Sequence, residues 1–242
     1  MLNHPTLQQL RALKLEGMAQ ALQEQLELNN LRDLTFEERL GLLVEREASH
    51  RDHKGFARRL KQQATLEDLD YEHPRNLDAS LVRSLAACGW VRDHHNLIVT
   101  GPTGVGKTYL ACAMAHQACR RGFTALYAQV GRLLQELSIA RGDGRYLKLL
   151  ARLAKTDLLV LDDWGLDSPT PEQRRVLLEL LDDRYEKRST LIASQFPTDV
   201  WYDTLADAIL DRVLHNAYRV ELRGESLRKT KRGLNPLKEA ST

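Results

Sequence analysis

Gly101-Pro102-Thr103-Gly104-Val105-Gly106-Lys107-Thr108 fills every fixed position of the pattern Gly-x-x-x-x-Gly-Lys-[Ser/Thr]. Such a run is built to grip a triphosphate. Its glycines let backbone N–H groups turn inward around phosphate oxygens, and a helix starting near Lys107 aims its positive end at the same oxygens. Lys107 adds a full charge at the β- and γ-phosphates, while Thr108 offers its hydroxyl to Mg²⁺. With Tyr109, next in the helix, these eight residues form the expected ATP-contacting set. A tight turn before a core helix is the bland alternative, and the apolar run Leu97-Ile98-Val99 before the loop argues against it.

Two further groups belong to the same chemistry. Leu158-Leu159-Val160-Leu161 reads as a buried strand, and Asp162-Asp163 follow it. Open α/β sheets bind ligands at the carboxyl ends of their strands, so both acids are expected beside the glycine loop. Asp162 is the expected partner of Mg²⁺, and Asp163 the group that polarises attacking water; helix capping is the other use for such aspartates. Leu191-Ile192-Ala193 in turn delivers Ser194-Gln195 to that edge, where the Gln195 amide can position water or sense the γ-phosphate.

The elements that must carry these residues follow from periodicity. Short β-rich runs at Asn96 to Thr100, Thr124 to Ala128, Leu158 to Leu161, Thr190 to Ser194 and Tyr218 to Leu222 alternate with helical stretches. That alternation predicts a five-stranded parallel sheet covered by helices on both faces. Before it, the first 70 residues read as all-helical. Thr6 with Gln9 and Thr35 with Glu38 have capping-box spacing, which predicts helices from about Leu7 and Phe36, with Gly17 as a bend in the first apolar stripe. The acidic run Glu67 to Glu72, ending at Pro74, suits a linker. The expected organisation is a helical DNA- or partner-binding unit over 1–70, an ATPase unit over 71–225 and a basic tail over 226–242.

A chain of 242 residues, 43% apolar and 28% charged, can bury one sizeable core and a smaller appendage. No stretch has the length and apolarity of a membrane span, and the first residues lack a basic segment followed by an apolar core, so a cytoplasmic protein is expected. Cys88, Cys112 and Cys119 form no C-x-x-C pair and read as buried small hydrophobes. Total charge is only +2, but its distribution is uneven. Between Arg46 and Lys61 six cations, Arg46, Arg51, Lys54, Arg58, Arg59 and Lys61, face two acids, and from Ser226 to Lys238 five face none. Either run can be a solvated face. Flanking a nucleotide site, they point to contacts with a nucleic-acid backbone, which needs positive charge and no particular fold.

Taken together, the glycine loop, Leu-Leu-Val-Leu-Asp-Asp-Trp-Gly at 158–165, Ile-Ala-Ser-Gln-Phe-Pro at 192–197, Ile-Leu-Asp-Arg-Val at 209–213, Gly-Glu-Ser-Leu-Arg-Lys at 224–229 and Leu-Lys-Leu-Glu-Gly-Met at 13–18 resemble IstB-type AAA+ ATPases. These are helpers of insertion-sequence transposition, similar to DnaC-type helicase loaders. The resemblance implies an ATP-dependent homo-oligomer that assembles on double-stranded DNA and serves a cognate transposase, with Arg212 as an arginine finger reaching the neighbour's γ-phosphate. A salt bridge to Asp207 or Asp211 is the other use for Arg212. Arg184 and Arg188 are further finger candidates. Arg228 matches a second γ-phosphate sensor or belongs to the basic tail, since the 14 residues after it cannot build a full lid. A helicase loader and a small-molecule kinase are the competing functions; the kinase would be a monomer without a trans arginine.

Overall fold

The computed structural model describes residues 5–27, 34–57, 64–203 and 205–227. Five parallel strands form one sheet: β1 (Asn96–Thr100), β2 (Ala125–Gln129), β3 (Leu158–Trp164), β4 (Ser189–Ser194) and β5 (Ala217–Glu221), in the order β2-β3-β4-β1-β5. Every residue of β1 and β4 is buried, as a parallel sheet covered on both faces requires. The register is continuous across the centre, with Thr100 opposite Ser194 and Leu161 opposite Ile192. All five strands therefore end at one edge.

Helices cover the two faces. On one, α4 (Ala79–Ala86), α5 (Gly89–Arg92) and α6 (Lys107–Arg120) pack Val82, Trp90, Leu110 and Met114 against Leu97, Val99 and Val160. On the other, α7 (Val130–Gly142), α8 (Tyr146–Lys155), α9 (Pro171–Arg184) and α10 (Asp207–Leu214) bring Leu137, Leu153, Leu180 and Ile209 onto Ile98, Leu161 and Ile192. A short 3-10 helix, Val200–Asp203, seats Trp201 beside Trp164 at 5.9 Å between ring centroids. Cys88, Cys112 and Cys119 are buried free thiols, as their apolar neighbours in the sequence suggest. Burial raises the Cys119 thiol to about 11, far from a reactive thiolate.

Before the sheet lie α1 (Pro5–Ala12), α2 (Glu16–Glu27) and α3 (Phe36–Ala57). The Thr35–Glu38 capping box forms: the Thr35 N–H donates to Glu38 Oε2 at 2.8 Å and the Glu38 N–H to Thr35 Oγ1 at 3.3 Å. The bend expected at Gly17 falls instead over Leu13–Leu15, with Lys14 at φ +60°, and Gly17 lies inside α2. The buried Glu47 carboxylate decides this: it accepts the Met18 N–H at 3.1 Å and so secures the first turn of α2 around Gly17. Leu69 and Ala64 continue into the core, so the acidic stretch lies packed along α6.

Arg184, a finger candidate by residue type, is a core residue. It is 1% exposed and donates to the carbonyls of Leu153 at 2.6 Å, Thr156 at 2.7 Å and Ser189, and to Thr190 Oγ1 at 3.1 Å. Its fork thus satisfies the last turn of α8 and the start of β4, which neither element could do alone. No guanidinium so placed can reach a neighbouring subunit. Arg184→Ala is expected to lower stability by about 3 kcal/mol, because three buried carbonyls lose their donors. Urea unfolding checks this, and a loss under about 1 kcal/mol would contradict it.

Candidate nucleotide site

The loop Gly101 to Gly106 leaves the carboxyl end of β1 and enters α6 at Lys107, so the strand-loop-helix expected from the motif is present. The Lys107 ammonium is 8% exposed and donates to the Gly101 carbonyl at 2.7 Å and the Pro102 carbonyl at 2.9 Å. The lysine closes the loop onto itself and holds its charge where a phosphate would sit. Gly104 and Gly106 have φ of +85° and +104°, a region closed to most side chains. Space is closed there too: a Cβ at 104 would lie 2.0 Å from Ser226 Oγ, and one at 106 would lie 2.7 Å from Arg75 Nη1. Tyr109 points away from the loop's mouth, packing on the core with its hydroxyl 3.5 Å from the Thr65 carbonyl.

β3 supplies both acids. Asp162 is 2% exposed, and its Oδ2 accepts the Thr108 hydroxyl at 2.9 Å and the Tyr127 hydroxyl at 2.6 Å. Thr108 and Asp162 thus meet across the loop, an oxygen pair suited to Mg²⁺, which takes few protein ligands and completes its shell with phosphate and water. When bound, the ion would neutralise charge on the β- and γ-phosphates. Asp163 follows at φ +60°, where the pairing of β3 with β4 shifts register between Leu161 and Trp164. The shift re-aims the chain so that consecutive acids serve different partners: Gln129 Nε2 donates to Asp163 Oδ2 at 2.7 Å.

Tyr127 and Gln129 were not legible as site residues. They stand two apart on β2, hence on one face of it, and the register that sets Gln129 opposite Asp162 brings them to the acids. Burial, and then the bond to Asp162, holds the Tyr127 phenol above its ordinary value, so it remains a donor at neutral pH.

Gln195 closes the other side of the loop: its Oε1 accepts the Thr103 hydroxyl at 2.5 Å. Lys107, Thr108, Asp162, Asp163 and Gln195 therefore converge at one edge of the sheet. Arg212 does not join them. Its backbone carbonyl accepts from Asn96 Nδ2 at 3.1 Å, which places it beside the amino end of β1, the end opposite Gly101. Its guanidinium is held by Asp182 at 2.7 Å and Asp211 at 3.1 Å and lies over the Tyr185 ring. Those acids, Asp182 foremost, raise its already high pKa. Arg188, the other finger candidate, donates to the Lys155 carbonyl at 3.2 Å.

Of the basic run, Arg46 pairs with Glu24 of α2 at 2.9 Å. Arg51 and Lys54 lie on α3 with side chains outside the described ones, and Arg58, Arg59, Lys61 and Arg228 lie outside the described residues. No described helix is long and apolar enough to cross a membrane.

The family model for IstB-like ATP binding proteins matches residues 8–235. The chain belongs to that family. A putative insertion sequence ATP-binding protein of Sinorhizobium fredii is 48% identical over 242 residues, covering 96% of this chain and 99% of that one. The putative ATP-binding protein of insertion sequence IS1162 from Pseudomonas fluorescens is 50% identical over 204 residues, 82% of this chain and 88% of the relative. Among solved structures, DnaI is 26% identical at a TM-score of 0.57 over 66% of this chain and 91% of its own. The DnaC helicase loader shares the fold at a TM-score of 0.58 and 21% identity, over 66% of this chain and 96% of that one. DnaA of Aquifex aeolicus, solved with AMPPCP, shares it at 0.60 and 22% identity, over 71% and 55%. This IstB-like chain is thus an ATP-binding protein with a P-loop, on a fold it shares with DnaI, DnaC and DnaA.

Within the IstB-like site, the Tyr127 hydroxyl orients Asp162 through its 2.6 Å hydrogen bond to Oδ2. Tyr127→Phe is expected to raise the Mg²⁺ concentration needed for half-maximal ATP turnover about tenfold, as removal of a hydrogen bond behind a metal-bound group does. Mg²⁺ titration of steady-state hydrolysis checks this; an unchanged midpoint would contradict it.

Proposed function

We propose that this IstB-like chain assembles head-to-tail on double-stranded DNA when ATP is bound, and that the assembly serves the transposase of its insertion sequence. Arg212 is the observation that carries the reading. It sits at the amino end of β1, whereas the nucleotide loop leaves the carboxyl end, and five strand residues span about 13–17 Å. An arginine there cannot reach its own subunit's γ-phosphate. Half-buried on α10 and held by two carboxylates, it suits a site completed by the next copy, and a heterologous interface of this kind repeats into a ring or a filament. Hydrolysis then depends on assembly, because the cation that stabilises transition-state charge arrives from outside.

Asp162 with Thr108 would hold Mg²⁺, Asp163 would draw a proton from the attacking water, and Gln195, hydrogen-bonded to Thr103, would orient that water against the γ-phosphate. Lys107 would exchange the loop carbonyls for phosphate oxygens as ATP enters. The DNA contacts fall to the helical unit of residues 1–70 and its basic run, Arg46, Arg51, Lys54, Arg58, Arg59 and Lys61, with the tail over 226–242 as a second basic segment. Such contacts read backbone charge and duplex shape, so sequence preference is expected to be slight. The names of the relatives, ATP-binding proteins of insertion sequences, support the transposition setting.

Duplex binding is expected to require ATP, to fall steeply between 50 and 200 mM salt by about 10³-fold for a protein making several phosphate contacts, and to be lost in Lys107→Ala. Fluorescence anisotropy with labelled duplex checks all three. Affinity independent of ATP and of Lys107 would contradict the reading. Capture of a replicative helicase in place of the transposase, with single strands preferred over duplex, would reassign the same ATPase to helicase loading. Arg212→Ala is expected to lower turnover in the assembled state by about 10³-fold, and unchanged turnover would rule the arginine out.

A further inference from the structure

Arg75 lies in the segment joining the N-terminal helices to the sheet, where the sequence offers only one arginine after an acidic run. It is 2% exposed. Nη2 donates to the Asp70 carbonyl at 2.6 Å, Nη1 lies 3.4 Å from the Val105 carbonyl, and Nη1 occupies the space a Cβ on Gly106 would need. Nε has no partner, and neither has His73 Nε2 in the same segment. No described carboxylate pairs with the guanidinium. Asp70, whose backbone carbonyl Arg75 touches, spends Oδ1 on the N–H groups of Glu72 and His73.

A buried cation with an unpartnered Nε and no ion pair among the described residues is costly unless something supplies negative charge. Burial accordingly pulls Arg75 below the ordinary arginine value, with the charge of Asp70 opposing. The backbone around Arg75 is fixed from three sides. The Arg223 N–H donates to the Arg75 carbonyl at 2.9 Å, and the Leu227 N–H to the Gly104 carbonyl at 3.0 Å. Gly224 approaches so closely that a Cβ there would meet the Pro74 carbonyl at 2.5 Å. On the other flank Leu69 and Ala64 pack with Val105 and with Cys112 and Ala113 of α6. Arg75 therefore stands where three segments meet: the strap from the N-terminal helices, the second turn of the glycine loop, and the C-terminal strap 222–227.

We propose that Arg75 is a positioning residue for nucleotide: it clamps the Val105–Gly106 turn of the phosphate loop from behind, its charge is compensated when polyphosphate fills that loop, and it couples nucleotide occupancy to the strap over 64–75. This rests on the reading of Gly101 to Thr108 as the ATP site. The coupling gives the N-terminal helical unit a physical route to the state of the nucleotide. Arg75 touches the loop and not the reacting atoms, so its loss weakens binding more than it slows chemistry.

The test is titration of the full-length protein with N-methylanthraniloyl-ATP and the corresponding ADP, alongside steady-state hydrolysis. Arg75→Gln is expected to weaken both nucleotides about tenfold and to raise KM by a similar factor, with kcat altered less than threefold. Arg75→Lys, which keeps the charge and loses the fork, is expected to fall between it and the wild type. Hydrogen exchange on the unmodified protein is the second measurement and does not depend on how the variants fold: ATP analogue is expected to slow exchange of the amides over 66–76. Arg75→Gln binding nucleotide within twofold of wild type, or exchange over 66–76 indifferent to nucleotide, overturns the proposal. Lys107→Ala separates the two claims. If that variant also binds nucleotide normally, the loop itself has been misread; if it fails to bind while Arg75→Gln binds normally, only the role of Arg75 falls.

Discussion

Parallel pairing of β3, β4 and β1 at the centre of the sheet is the constraint on which the rest depends. Strands that run the same way and pair in register must end together, so three strand ends distant in sequence emerge side by side with the segments that follow them. One carries the glycines and Lys107, one the two aspartates, one Gln195. The covering helices bury both faces of these strands and leave the ligand only the rim. The parallel sheet that gathers the site also exports Arg212, since a helix returning to start β5 must end at the opposite rim. Separation of the cation from the phosphates it would serve is thus a property of the topology, and under the proposed head-to-tail assembly a second copy would complete the chemistry.

The site's charges are held in place by the protein's own groups. Lys107 leans on two carbonyls of its loop, Asp162 takes two hydroxyls on one oxygen, Asp163 is tethered by Gln129, and Arg212 by two acids. Each of these bonds is local, and each orients a group that phosphate, metal ion or a neighbouring subunit could take over. Orientation prepared in advance in this way lowers the reorganisation needed when the ligand arrives. Arg75 is held likewise by two carbonyls, but its Nε has no described partner.

What the sequence discloses about this fold is whatever is encoded within one short segment. The glycine loop is written in eight consecutive residues, and the acids and Gln195 each follow an apolar run that announces its own strand. The helix after Pro171 also carries its signal locally, Thr170 and Gln173 forming a capping box. Tyr127 and Gln129 were illegible for the opposite reason: their role exists only through the register of β2 on β3, and a tyrosine on a strand is ordinarily a packing residue. Arg184 and Arg212 are chemically identical in the sequence. Burial alone, which depends on α8 and β4 closing around the first, separates a core strut from a candidate finger. Gly17 misled because a glycine within an apolar stripe looks like a break, while the carboxylate that secures it, Glu47, comes 30 residues later.

The central claim, that each nucleotide is shared between one copy's loop and the next copy's Arg212, is tested most directly by mixing two inactive variants. Asp163→Asn keeps the phosphate loop and the arginine but lacks the group that activates water, and Arg212→Ala keeps Asp163. In an equimolar mixture with DNA and ATP, sites pairing the intact Asp163 of one with the intact arginine of the other restore about a quarter of wild-type turnover if subunits mix at random in a head-to-tail assembly. A mixture as inactive as its components, although both variants fold and co-assemble, would contradict the account.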